Sequence, residues 1–254
     1  MAVVPAAEQT LAILRYLAAQ ASPVTAAAIS RELGLPRSTT YHLLSTLLAS
    51  SFVVHYPEQK VYGLGVTAYE LGTGYTRQAP LQRLARRLVA DLRDRSGNGV
   101  HLSVLQGREV VYLLEERAPG RPLLITDVGV RLPAHRTASG RAMLAALPAT
   151  QVRALYPDAD AFEPGAGPGS LSALRRLLAD VRRHGFASEH GEVTAGLTSV
   201  AMPVLDHNTH PVAAVTVTFP EGEGTDAYLE RMVSEVGAAV RELGRRIGAG
   251  IQGI

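Results

Sequence analysis

Between Thr25 and Leu48 the chain reads TAAAISRELGLPRSTTYHLLSTLL, and few folds accept that apolar spacing around that central turn. Thr25 can cap a helix whose inward positions Ile29 and Leu33 stand four apart, with Arg31 and Glu32 on the wet side. Gly34 comes next, where a helix needs a left-handed terminator, Leu35 returns to the core, and Pro36 stands where a new helix can start with its φ already set. The second helix then buries Leu43, Leu44 and Leu47 and leaves Arg37, Ser38, Thr39, Tyr41, His42 and Ser45 outside. Hydroxyls, an imidazole and an arginine near a helix N-terminus are the groups that reach base edges and phosphates in a major groove, so this helix-turn-helix points to duplex DNA as a partner. Thr25, at the mouth of the first helix, counts with the DNA-facing set. The same pattern also fits an αα-hairpin with a solvated face.

The next dozen residues favour the DNA-binding reading. Phe52–His55 and Val61–Leu64 are short β-favouring runs separated by Tyr56, Pro57, Glu58, Gln59 and Lys60, the composition of a hairpin turn. A helix-turn-helix continued by a hairpin is a winged helix. Gln59 and Lys60, the one lysine of the chain, then stand at the wing tip within reach of a phosphate or the minor groove. A solubilising turn residue is the alternative for Lys60.

Several motifs, in order, make the chain similar to the IclR family of transcriptional regulators. They are Leu33-Gly34-Leu35-Pro36 with Ser38-Thr39, then Leu43-Leu44, Thr46-Leu47 and the wing exit Tyr62-Gly63-Leu64-Gly65. Further on come Leu132-Pro133-Ala134-His135, Thr137-Ala138-Ser139-Gly140-Arg141-Ala142, and the segment from Gly185-Phe186-Ala187 through Gly196-Leu197 to Met202-Pro203-Val204. The chain departs from the family pattern at His42, where arginine is common, at Ser51, where the wing usually opens with glycine, and at Ser199, where cysteine is frequent. A neutral imidazole offers one donor and no fork, so His42 in place of arginine implies either a different base preference or weaker phosphate binding.

Composition sets the outer limits. With 254 residues, 46% of them hydrophobic, there is room for one small and one medium domain. The expected organisation is α+β: a winged helix over 1–65, a linker helix over 66–80 and an effector domain over 81–254. A net charge of +2 provides no basic coat, so DNA affinity must be local, doubled in a dimer, and salt-sensitive. Zero cysteines exclude disulfides and thiol catalysis. No apolar run approaches the ~20 residues of a membrane span and no secretory leader is visible, so a cytoplasmic location is expected.

After a helical stretch over Val66–Tyr75 and a break at Thr76–Pro80, Leu81–Arg95 reads as an amphipathic helix. It has a stripe of Leu81, Leu84, Leu88 and Leu92 opposite Arg83, Arg86, Arg87 and Arg93. That arginine face fits either DNA or plain solvation. Strands are expected at Val100–Leu105, Val110–Glu115, Leu123–Thr126, Ser199–Leu205 and Val212–Thr218, and helices at Ser139–Leu147, Leu171–His184 and Thr225–Ile247. The result is an antiparallel sheet flanked by helices, for which the resemblance implies a GAF-like ligand-binding domain. The last helix, with Leu229, Met232, Val233, Val236, Val240, Leu243 and Ile247 at threes and fours, suits a sheet cover or a dimer seam.

The resemblance places contacts to a small organic-acid effector on Ala138, Ser139, Glu189, Ser199, Thr216 and Thr218. The residues themselves agree: Thr216 and Thr218 share one face of a strand, and Ser139 and Gly140 open a helix whose N–H groups favour an anion. Glu192 joins this set, with a structural role as its alternative. The plain reading of the others is β-forming threonines and a helix cap. No cofactor is expected, and no His-Glu-x-x-His run or Gly-x-Ser-x-Gly elbow occurs. The Gly165, Gly167, Gly169 alternation, interleaved with Pro164 and Pro168, is a connector. The function expected is a sequence-specific regulator, by expectation a repressor, whose C-terminal domain binds a small organic-acid or aromatic metabolite that changes operator binding; it is expected to work as a homodimer or tetramer and not on membranes. A metabolite binder whose winged helix meets proteins is one alternative. The other is an enzyme acting in the C-terminal pocket, which needs a general base close to a nucleophile and has Glu189, Glu192 and His190 at hand.

Overall fold

The computed structural model describes residues 4–71, 80–121, 126–162 and 165–251, and the chain divides into two compact units, Met1–Ala79 and Pro80–Ile254. In the first, α1 (Pro5–Ala18) has proline at its start, where no hydrogen bond is lost, and buries Ile13 and Leu17. Helices α2 (Ala26–Glu32) and α3 (Arg37–Ala49) form the helix-turn-helix. The Thr25 hydroxyl accepts from the Ala28 N–H at 3.2 Å, capping α2. Gly34 ends it at φ 62°, a conformation that would cost a side-chain-bearing residue ~1 kcal/mol.

The turn is closed from both sides: the Leu35 N–H donates to the Ser30 carbonyl and the Ser30 hydroxyl donates to the Leu35 carbonyl. Thr40, without a signal in the sequence, is fully buried, with its hydroxyl on the Pro36 carbonyl at 3.1 Å. Leu44 and Leu47 are buried as expected, whereas Leu43 is only half-buried at the edge of the same cluster of Ile13, Ile29, Val53 and Tyr62.

The wing consists of β2 (Val53–Tyr56) and β3 (Val61–Leu64), antiparallel with Val53 opposite Leu64 and Tyr56 opposite Val61. A two-residue strand, β1 (Val24–Thr25), pairs with the other edge of β3. Ser51 takes φ 58°, the left-handed backbone that explains why glycine suits this position. A helical segment, α4, covers residues 66–71. Residues 72–79, the rest of the expected linker, lie outside the described residues.

The second unit is a six-stranded antiparallel sheet in the order β6-β5-β4-β9-β8-β7. Its strands are β4 (Gly99–Gln106), β5 (Glu109–Glu116), β6 (Arg131–Pro133), β7 (Ala187–His190), β8 (Leu197–Leu205) and β9 (Pro211–Pro220). Of the strand expected at Leu123–Thr126, residues 123–125 lie outside the described residues and Thr126 belongs to no strand. One face is covered by α5 (Pro80–Ser96) and α9 (Asp226–Ile251), whose Ala85, Val89, Leu92, Met232, Val236 and Leu243 pack on Val100, Leu102, Val200 and Val215. The last helix is thus a sheet cover. In α5 the deepest positions are Ala85, Val89 and Leu92, and Leu81, Leu84 and Leu88 flank them half-buried.

The other face carries α6 (Ala138–Ala146), α7 (Ala149–Leu155) and α8 (Leu171–His184). Every residue from Ala138 to Ala145 is buried, over the small sheet residues Ala187, Ala201 and Ala214. Small residues on both sides let the helix backbone come close to the strands, which sets the depth of the space at its N-terminus.

Candidate DNA-facing helix and effector cavity

On α3, Arg37, Tyr41 and Ser45 stand at successive i,i+4 positions and Ser38 and His42 form the adjoining row; all five are exposed, Tyr41 by 56%. Thr39 is half-buried beside them. The first turn of α3 holds no acidic residue, and no side chain caps it, so its N–H groups and the positive end of its dipole are open to a phosphate. At the wing, Gln59 and Lys60 are exposed, with Lys60 in the left-handed region at φ 54°. Thr25 is exposed with its hydroxyl engaged in the cap.

In the second unit, strand register builds the floor of a cavity. Glu189 pairs with Ser199 across β7 and β8, and Ser199 with Thr218 across β8 and β9. Two residues along, Ala201 pairs with Thr216, and Thr216 with His101 across β9 and β4. Because positions two apart share a face, these two cross-strand rows lie side by side. The Ser199 hydroxyl donates to Glu189 Oε1 at 2.6 Å and lies 3.0 Å from the Thr218 hydroxyl. The N-terminal turn of α6 supplies Thr137, Ala138 and Ser139, and the β7–β8 connection supplies Val193 and Thr194. With Tyr112, Thr126 and Leu197 they line a narrow, partly open cavity.

Six of the eight residues expected to meet an effector line this space: Ala138, Ser139, Glu189, Ser199, Thr216 and Thr218. Gly140 and Glu192 do not, which corrects both. The Gly140 N–H is spent on the Thr137 hydroxyl at 3.0 Å, and the residue is small because its α-carbon presses on Ala134, where an added Cβ would lie 2.2 Å from the carbonyl oxygen. Glu192 turns away to ion-pair with the buried Arg141, while its N–H donates to Glu189 Oε2. His101, Tyr112 and Thr126 are wall residues that the sequence did not flag. Register alone, which places His101 opposite Thr216, would have found the first.

The wall sets hydroxyls, an imidazole and a carboxyl among a larger apolar share and carries no lysine or arginine among the described residues. Burial pushes the Glu189 carboxyl above its usual range, against hydrogen bonds from Ser199 and the Glu192 and Val193 amides. Burial likewise pushes the Tyr112 phenol up to about 12, so it remains a proton donor at neutral pH. His101 Nε2 lies 2.9 Å from the Thr126 hydroxyl and 3.6 Å from Glu115 Oε1. The buried Thr216 hydroxyl has no hydrogen-bond partner. At the α6 N-terminus Gly140 is satisfied by the cap, and the two amides ahead of it, of Ala138 and Ser139, have no intrahelical carbonyl to reach. Unmet donors around a polar hollow are the chemistry of a ligand site. No described group of histidines and carboxylates could hold a metal.

A winged helix-turn-helix with an exposed recognition face, joined in one chain to a sheet domain that holds a cavity, is the architecture of a transcription regulator. Comparisons with known proteins agree on both halves. Residues 6–57 match the IclR helix-turn-helix domain and residues 73–245 match the bacterial transcriptional regulator IclR C-terminal domain. The chain is 30% identical over 250 residues to the HTH-type transcriptional regulator XynR of Escherichia coli K12, covering 98% of this chain and 99% of that one. To the HTH-type transcriptional repressor AllR of Klebsiella pneumoniae it is 28% identical over 248 residues, covering 97% and 89%. A crystal structure of an IclR homolog from Microbacterium hydrocarbonoxydans complexed with 4-hydroxybenzoate superposes with a TM-score of 0.78 at 23% identity, covering 95% of this chain and 98% of that one. The chain belongs to the IclR family of transcriptional regulators. That family and these relatives regulate transcription and are not enzymes. No described helix is long and apolar enough to cross a membrane.

Proposed function

We propose that this regulator occupies an operator through α3 and its wing, and that a small organic acid entering the cavity of the second unit changes operator affinity. In this reading Arg37, Ser38, Tyr41, His42 and Ser45 meet base edges, Thr39 and Thr25 meet the backbone, and Gln59 and Lys60 hold a phosphate or the minor groove. Residues 1–65 serve as the winged helix, 66–80 as the linker and 81–254 as the effector domain, in the cytoplasm. One recognition helix buries too little to be specific, so two subunits read a roughly palindromic site. Leu11, Val66, Tyr69 and Leu71, all more than half exposed on the first unit, supply apolar surface for such pairing. AllR is a repressor, and repression is the sign we assign here.

The observation that carries the effector half is the Thr216 hydroxyl, buried and without a partner in a cavity wall. An unmet buried hydroxyl costs ~1–3 kcal/mol unless something arrives to bond it. A carboxylate on the Ala138 and Ser139 amides, with a further polar group on the Thr216 hydroxyl, satisfies the unmet groups together. A homolog of the same fold has been solved in complex with an aromatic acid, 4-hydroxybenzoate. Linkage requires that the acid prefer one arrangement of the dimer, and DNA then changes acid affinity by the same factor.

A thermal-shift screen of aliphatic and aromatic carboxylic acids tests this. Some of these acids should raise the melting temperature and alter retardation of the DNA upstream of the gene. Thr216→Val should melt at or above the wild-type temperature, lose the acid-induced shift by roughly tenfold in concentration and keep its DNA binding. An unchanged acid response removes Thr216 from the site.

A further inference from the structure

Helices α5 and α9 run antiparallel, as their contacts fix: Arg246 donates to the Leu84 carbonyl at 3.3 Å at one end, and Arg95 meets Glu235 at 2.7 Å at the other. Charge is distributed very unevenly between those ends. Near Arg95 the cations are matched, Arg93 with Asp94 and Glu116, Arg95 with Glu235, and Arg231 on the Arg95 carbonyl. Arg93 therefore does not belong to the free arginine face that the sequence suggested.

Near Leu84 the outer surface carries Arg83, Arg86 and Arg87 from α5 and Arg241 and Arg245 from α9, all exposed. Against these five stand Glu242, already shared by Arg245 and Arg246, and Asp91, 4.0 Å from Arg87. Arg83, Arg86 and Arg241 have no hydrogen-bond or ion-pair partner among the described residues. Without ion-pair partners, Arg83, Arg86 and Arg241 contribute no salt bridge to the stability of the unit.

We propose that this end of the α5/α9 layer is a second phosphate-binding surface, which grips the DNA backbone outside the base pairs read by α3. Guanidinium forks match phosphate oxygens in pairs, and unpartnered arginines break no ion pair to bind them. A second copy of the chain is the wrong occupant: a two-fold interface would set the patch against itself, cation on cation. The patch opens the second unit directly after the DNA-binding unit in sequence, so α3 and the patch are carried by one chain.

The test compares full-length wild type with R83Q/R86Q and, on the far side of the sheet, R175Q/R176Q, which removes equal charge from exposed positions of α8. Affinity for a generic long duplex is measured as a function of KCl. The slope of log K against log salt should be shallower by about 1.8 in R83Q/R86Q, at ~0.9 per phosphate contact, and unchanged in R175Q/R176Q, with wild-type melting temperatures for both. Equal slopes in all three proteins overturn the proposal, as does the same reduction in both variants, which would report net charge alone. Loss of polyglutamate binding in R83Q/R86Q with an unchanged DNA slope also overturns it and assigns the patch to an acidic protein. A wild type that retards no duplex at about 50 mM KCl overturns the recognition-helix reading and this inference together.

Discussion

Replacing Gly140 with alanine should unfold the second unit while the first remains folded. The added methyl carbon would lie 2.2 Å from the Ala134 carbonyl oxygen and 2.4 Å from the Ala134 Cα, both backbone atoms that cannot rotate away. Helix α6 cannot retreat either, because Ala138 to Ala145 are buried against β8, β9 and α8. Overpacking a soft core costs ~1–3 kcal/mol; with backbone on both sides of the contact the loss should exceed ~3 kcal/mol, a large part of a domain's stability. Calorimetry should show the transition of the second unit moved far down or missing. Gly248, in α9 with open space where its Cβ would go, is the control, and alanine there should stabilise by ~0.5–1 kcal/mol. If Gly140→Ala melts like the wild type, the close approach of α6 to Ala134 is wrong.

Acid should weaken the same unit through His135. Its ring is buried, edge-on to Tyr156 and Phe162, with Nδ1 unpartnered. Burial first, then the nearby Arg136 and Arg141 charges, lower its pKa from 6.5 to about 4. The native ring therefore refuses a proton that the unfolded chain accepts below pH 6.5. Stability falls as pH drops from 6.5 toward 4, by up to ~3 kcal/mol from this residue. Glu223 and Glu242 have lowered pKa values and give up their contributions only at more acid pH, whereas Glu189, raised by burial, changes in the opposite sense. Denaturant unfolding at pH 7 and pH 4.5 should show a large loss in wild type and a much smaller one in His135→Phe, which keeps the aromatic contacts. Equal losses in both proteins contradict the assignment.

The first unit was legible because its determinants are local. Gly34-Leu35-Pro36 and the spacing of Ile29, Leu44 and Leu47 define the turn and both helices within one short stretch. The two-residue strand β1 was not legible there, because so short a pairing has no periodicity to detect. The cavity was legible only in part, since its floor is assembled by cross-strand register. Ser199 and Thr216 could be singled out, but His101 joins them only because β4 lies against β9. Gly140 misled for a physical reason: glycine at a helix start suits an approaching anion and an approaching backbone equally, and here it is the backbone of Ala134. Glu192 misled because Arg141, a residue with no sequence signature of burial, draws its carboxylate away from the cavity.

The central claim is that the exposed face of α3 enters a major groove. Dimethyl sulfate protection of the upstream DNA tests it directly, because the reagent methylates guanine N7, which faces that groove. Two protected clusters are predicted, with centres one helical turn, about 10 base pairs, or a multiple of it apart. Those clusters should vanish when Arg37, Tyr41 and His42 are together replaced by alanine. Protection that survives this triple replacement, or DNA bound with no guanine N7 protected, would contradict it.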